Sequence, residues 1–195
     1  MKVLAAIGLL AIIFAVVASL YFFGGFYSVA ANREDPAIVR WALMKVRTNS
    51  IVHHAQDQPP SGFDDPAKVQ AGALAFSELG CINCHGAPGV KWAKFSEGLQ
   101  PDPPDLKDVV QEATPSQLFW VVKNGINMTG MPSFALAGAK DDEIWSIVAF
   151  LKKLPGISEA DYKAWTTPPV AAPTPAIPPT PPAVAPAPNP PAESK

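Results

Sequence analysis

Along the chain, the apolar positions form one continuous run, four helix-like stretches and a tail without period. Val3 to Phe23 is almost unbroken in apolar residues. As a helix, its roughly 21 residues span about 31 Å, the thickness of a bilayer core. Asp35-Pro36 then offers an N-cap with proline at the first helical position, which predicts a helix from Pro36 to about Ser50. A linker follows at Gln58-Pro59-Pro60-Ser61-Gly62. Asp65-Pro66 opens the next helix, where Val69, Ala73, Phe76 and Leu79 recur at helical spacing and Gly80 supplies the stop. Residues 90–113 carry Pro101, Pro103 and Pro104 and show little regular pattern. Thr114-Pro115-Ser116-Gln117 is a capping-box signature for a helix through Val122 that stops at Asn124-Gly125. Asp141-Asp142-Glu143 starts a helix with a broad apolar face, Ile144 to Leu154, ended by Pro155-Gly156. Ser158 to Trp165 adds a short turn.

This pattern predicts an all-α protein in four parts: a transmembrane anchor over 1–31, a juxtamembrane helix and linker over 32–63, a helical domain over 64–165, and a tail over 166–195. The tail is proline, alanine, threonine and valine with almost no charge. It lacks the residues to form a packed core, which predicts a disordered, polyproline-like segment. Gly72 interrupts a predicted helix at a cost of about 1 kcal/mol relative to alanine, and such a position often permits close approach by another helix.

Charge narrows the choice of partners. A net charge of −2 gives no case for nucleic acid. The N-terminal run is longer than the 7–15 apolar residues of a cleavable signal. It leads into Tyr21, Phe22, Phe23, Phe26 and Tyr27, an interfacial aromatic belt, so an uncleaved anchor is expected. Val29-Ala30-Ala31 has the small residues of a cleavage site, and whether the segment is removed stays open. The helix after it, with Arg40, Lys45 and Arg47, has two open readings: it lies against lipid headgroups or a partner, or it packs on the following domain. His53 and His54 are read as structural or solvated, because no ligand partner sits near them in sequence.

The chemistry is concentrated in Cys81-Ile82-Asn83-Cys84-His85, which holds the only two cysteines. A redox dithiol would sit in a βαβ context, and a structural zinc would need two more ligands. Cys-x-x-Cys-His instead reads as a site of covalent haem attachment, with thioethers from Cys81 and Cys84 and His85 as the proximal iron ligand. The long irregular stretch after it has a suitable object to wrap, with Trp92, Phe95, Leu99 and Leu106 as candidate walls. Further on, Met128 and Met131 share one loop. Gly130 before Met131 permits close backbone approach, and Pro132 after it restricts the methionine, so Met131 is the expected distal ligand and Met128 a core residue.

Together, the Cys81–His85 motif, the helix bearing Gly72 and Phe76, the Thr129-Gly130-Met131-Pro132 loop and the aromatic last helix resemble a class I c-type cytochrome. The likeness is to bacterial membrane-anchored monohaem cytochromes c and covers roughly residues 64–160. The resemblance implies an all-α cytochrome c-like domain around one haem c. It also implies Cys81, Cys84, His85 and Met131 as cofactor-binding residues, with His85 and Met131 on the metal. It places Gly72 and Phe76 where the first and last helices cross, with Trp145 and Phe150 opposite. Pro88 falls near where the family has a proline that orients the proximal histidine. Arg40, the two histidines and the tail have no counterpart in the family's soluble members.

The implied function is one-electron transfer between respiratory redox partners, a dehydrogenase or an oxidase, without a small-molecule substrate and without catalysis by the chain itself. The alternative is a haem c subunit of a membrane dehydrogenase or terminal oxidase complex. The expected location is a single-pass protein of the bacterial inner membrane, haem domain on the periplasmic side. Lys91, Lys94, Lys123 and Lys140 would form a cationic docking rim, or else be scattered solvated charge.

Overall fold

A computed structural model describes residues 1–167; the expected disordered tail falls, except for its first two residues, outside them. Eight helices and no strands are found among the described residues: α1 (Lys2–Phe23), α2 (Ala37–His54), α3 (Pro66–Glu78), α4 (Ile82–His85), α5 (Leu106–Glu112), α6 (Pro115–Asn124), α7 (Asp141–Lys153) and α8 (Glu159–Thr166). The protein is all-helical, as the pattern required. α1 covers the apolar run, and its length and composition suit a membrane span.

The core is built on two helices. α3 and α7 make the most extensive contact in the molecule. At their crossing Gly72 lies directly on the backbone of Ser146 and Ile147, so the expected close approach is real. One turn on, the Phe76 ring sits 5.3 Å from that of Phe150, which in turn lies 5.8 Å from Tyr162 of α8. Trp145 does not join this contact. It stacks at 4.1 Å on Phe119 of α6 and meets Phe63 edge-on at 5.9 Å, so α7 is wedged between α3 and α6 by aromatics on both sides. Phe76, Phe119, Ile144, Val148 and Phe150 are almost wholly buried.

The helix ends follow their local chemistry, with two exceptions. Thr114 and Gln117 form a reciprocal capping box on α6. Gly125 ends that helix at φ +70°, where an added Cβ would lie 2.6 Å from the Pro132 carbonyl carbon. One is Asp65, which sits at the N-cap of α3 but makes no side-chain hydrogen bond there; the other is Asp35. The N-cap position of α2 is Pro36, and the Asp35 carboxylate instead accepts the Tyr27 hydroxyl. The stretch 90–113 is also more ordered than expected, holding a 3-10 turn over Lys94–Gly98 and the seven-residue α5. Asp105 caps α5 by accepting from Lys107 N–H, and Lys152 of α7 donates to the Val110 and Ala113 carbonyls at its other end. Ser158 likewise caps α8, which is a full helix where a short turn was expected.

α8 buries one polar atom without a partner. The Tyr162 hydroxyl is shielded from water and near Ser77, but makes no aligned hydrogen bond. Burial raises its pKa. Because no bond is lost, Tyr162→Phe should leave stability unchanged or slightly raised, within about 1 kcal/mol, in a thermal melt. A clear loss would mean that the hydroxyl has a partner.

Candidate functional site

The Cys81–His85 motif is wound as a single helical turn. Cys81 is at the N-cap of α4, and both Cys84 N–H and His85 N–H donate to its carbonyl. Both thiols are free of any disulfide. Burial pushes the Cys81 thiol up to about 12, while Cys84 is only half-buried. Cys84 and His85 open onto a cleft of about 520 Å³ that is also lined by Trp92, Pro104, Leu106 and Leu154. That volume lies within the ordinary range for a site that takes a flat organic cofactor.

The His85 ring is oriented by a residue 19 positions away. Its Nδ1 lies 3.1 Å from the Pro104 carbonyl oxygen. A carbonyl can only accept, so Nδ1 carries the proton and donates it, leaving the Nε2 lone pair available. Burial lowers the pKa of the ring, opposed in part by this hydrogen bond, so the neutral, ligating form is favoured. The proline in the orienting position is therefore Pro104. Pro88 lines the cleft, but the histidine bonds elsewhere. The 19-residue separation put Pro104 beyond the reach of a local motif.

The two methionines take different environments. Met128 is 89 % exposed with φ +58°, so it is no core residue. Met131 is half-buried and packs against the core. Its N–H donates to Thr129 Oγ1 at 3.1 Å, and its carbonyl accepts from Ile126 N–H at 3.1 Å. Ser133 ties the following residues back to α6 through the Lys123 carbonyl, at 2.7 Å. The loop is thus fixed on the end of α6. Met131 is not among the residues lining the cleft, and Gly130 faces the Leu99 side chain. Of the four candidate residues, Cys84 and His85 line the cleft, Cys81 is buried one turn back, and Met131 is not among the lining residues. Of the candidate walls, Trp92 and Leu106 line the cleft, whereas Phe95 is exposed.

The cationic rim is weaker than the sequence allowed. Lys94 pairs with Glu97, and Lys123 pairs with Asp141 at 2.8 Å. Lys91 and Lys107 line the cleft together with Glu97, Asp102 and Asp105. Two lysines stand against three carboxylates there, so the structure offers no net positive collar for steering.

Among known protein families, residues 67–151 match the one described as cytochrome c oxidase, cbb3-type, subunit III. The match starts in α3, takes in the Cys81–His85 turn, the cleft lining other than Leu154 and the Met131 loop, and ends in α7. A search of curated proteins and a search of solved structures each found no match.

Proposed function

From the premise that residues 67–151 are a c-type cytochrome domain, we propose that the protein carries single electrons through one covalently held haem c, anchored in the membrane by α1. The observation that carries this reading is the His85 ring fixed through Nδ1 on the Pro104 carbonyl, at a cleft shared with Cys84. A histidine so oriented presents Nε2 as a metal ligand. Two free cysteines one helical turn apart are the donor set that thioether attachment needs. The residues thus fit a haem, which when bound would supply a reversible one-electron Fe(II)/Fe(III) couple.

Each residue then has a defined task. Cys81 and Cys84 hold the group to α4. His85 is the proximal ligand, and Pro104 keeps it in one tautomer. Met131 is the distal ligand; its half-buried, tethered loop supports this over the exposed Met128. A soft thioether favours the ferrous state and raises the potential, as does burial in apolar surroundings. With His85 and Met131 both holding the iron, no coordination site would be left for a substrate, so the chain would transfer electrons and not catalyse by itself. The anchor would put the haem domain on the periplasmic face of a bacterial inner membrane.

The test is the mass and pyridine haemochrome spectrum of the full-length protein extracted from membranes. The expected result is one haem per chain that survives denaturation and shows the two-thioether spectrum. Haem lost on denaturation, or a second equivalent, would overturn the assignment.

A second reading has its own support in the family description, which names an oxidase subunit. In that case the protein feeds electrons to a terminal oxidase as one of its subunits. Extraction in mild detergent separates the two: co-purification with oxidase activity in fixed ratio supports the subunit, and isolation alone supports the free-standing carrier.

A further inference from the structure

α2 packs on α6 at its C-terminal end, where the His54 ring lies 5.9 Å from Trp120. The rest of the helix buries nothing. Ile38 is 70 % exposed and Trp41 58 %, and Leu43, Met44, Val46 and Val52 are each more than half exposed. So many bare apolar side chains on 18 residues exceed what water-facing helices ordinarily leave uncovered.

Two observations say what covers them. The first is charge: α2 carries Arg40, Lys45 and Arg47 and no aspartate or glutamate, although Arg40 is paired at 3.0 Å with Glu34 just before the helix. The second is position. Tyr27 N–H donates to the Tyr21 carbonyl near the end of α1, and the Tyr27 ring packs on Tyr21 at 6.1 Å and Phe22 at 5.1 Å. The same tyrosine's hydroxyl holds Asp35, two residues before α2 begins. The start of α2 is therefore pinned to the end of the apolar α1 helix, at the level where a spanning helix leaves the bilayer. A basic helix with exposed Trp, Ile and Met, starting at that level, has the composition of one that lies in the lipid interface.

We propose that the N-terminal half of α2 is a second membrane contact. Ile38, Trp41 and Met44 enter the headgroup–acyl boundary of an anionic lipid surface, with Lys45 and Arg47 on the phosphates. The inference rests on the reading of α1 as an anchor. It adds that the haem domain is held against the membrane by α2 and α6 and does not swing freely on a tether. Cytochrome motion toward a partner is then confined to the plane of the bilayer.

The test places a nitroxide label, through single cysteine substitutions Ile38→Cys, Trp41→Cys and Met44→Cys, on the full-length haem-loaded protein. The protein is returned to phosphatidylethanolamine vesicles with or without phosphatidylglycerol. Collisions with oxygen, which concentrates in lipid, are compared with collisions with a nickel chelate, which stays in water. Labels at Leu10 in α1 and Asp57 in the linker serve as references. The expected result is loss of nickel collisions and gain of oxygen collisions at 38, 41 and 44 relative to 57, strongest with phosphatidylglycerol. If Leu10 is lipid-embedded while 41 remains open to nickel, the inference fails and the anchor stands. If 38, 41 and 44 are shielded from both reagents, protein covers them and the lipid contact is wrong. Shielding indifferent to phosphatidylglycerol removes the role given to Lys45 and Arg47. Free nickel access at Leu10 overturns the anchor itself, and the inference with it.

Discussion

Replacing Met131 by alanine is expected to abolish the weak red-region iron–sulfur band of the oxidised protein and to open the iron to carbon monoxide or cyanide. The same change should lower the midpoint potential by on the order of 0.1–0.3 V, a fraction of the roughly 0.8 V that axial ligation spans. The direction follows from chemistry. Removing a soft ligand that favours Fe(II) leaves water or a harder donor, and water entry into the site stabilises the more charged oxidised state. Met128→Ala is the control. Because Met128 is 89 % exposed, it should change neither the band nor the potential, and its effect on stability should stay within about 0.5 kcal/mol. Loss of the band in the Met128 variant, with retention in the Met131 variant, would reverse the assignment. The comparison is sharp because both thioethers sit in one loop and differ mainly in burial and tethering.

What could be read in the sequence depended on how local its cause is. α6 was legible to the residue because its start is a reciprocal bond between Thr114 and Gln117, and its stop is Gly125 in the left-handed region. α7 was legible through its acidic first turn and lysine-rich last turn. The crossing at Gly72 and the Phe76–Phe150 contact agree with what the resemblance implied. α5 was missed because Pro101, Pro103 and Pro104 suggest an irregular chain. Its own signal is short: an Asp105 cap and three apolar residues at Leu106, Val109 and Val110. Asp35 resembles an N-cap, yet the Tyr27 hydroxyl takes its carboxylate; no rule about helix starts contains that competition. The Pro104–His85 bond is non-local in the same sense: its two ends meet only once the cleft has folded. In the candidate site, the motif residues themselves were evident from spacing. Their orienting partner depends on tertiary packing.

Gly72→Ala is the change expected to cost the most stability for the fewest atoms. A methyl group at this position would lie 1.8 Å from the Ser146 carbonyl oxygen and 2.4 Å from its carbonyl carbon. Both are backbone atoms of α7, so no rotamer change can relieve the overlap, and the two helices must separate. Alanine gains up to about 1 kcal/mol of helix propensity over glycine. Overpacking a tight core costs about 1–3 kcal/mol when side chains can shift, and here only whole helices can. The repulsion wins. A net loss of at least about 2 kcal/mol is expected, which for a unit of this size lowers Tm by about 10 °C or more. Separation at Gly72 also loosens the Phe76–Phe150 contact, one turn away on the same pair of helices. Gly156→Ala is the matched control, since an added Cβ there meets nothing within 4 Å. Its effect should stay within about 0.5 kcal/mol. Melts of the two full-length variants side by side decide the matter: equal Tm values would mean that α3 and α7 do not cross on Gly72.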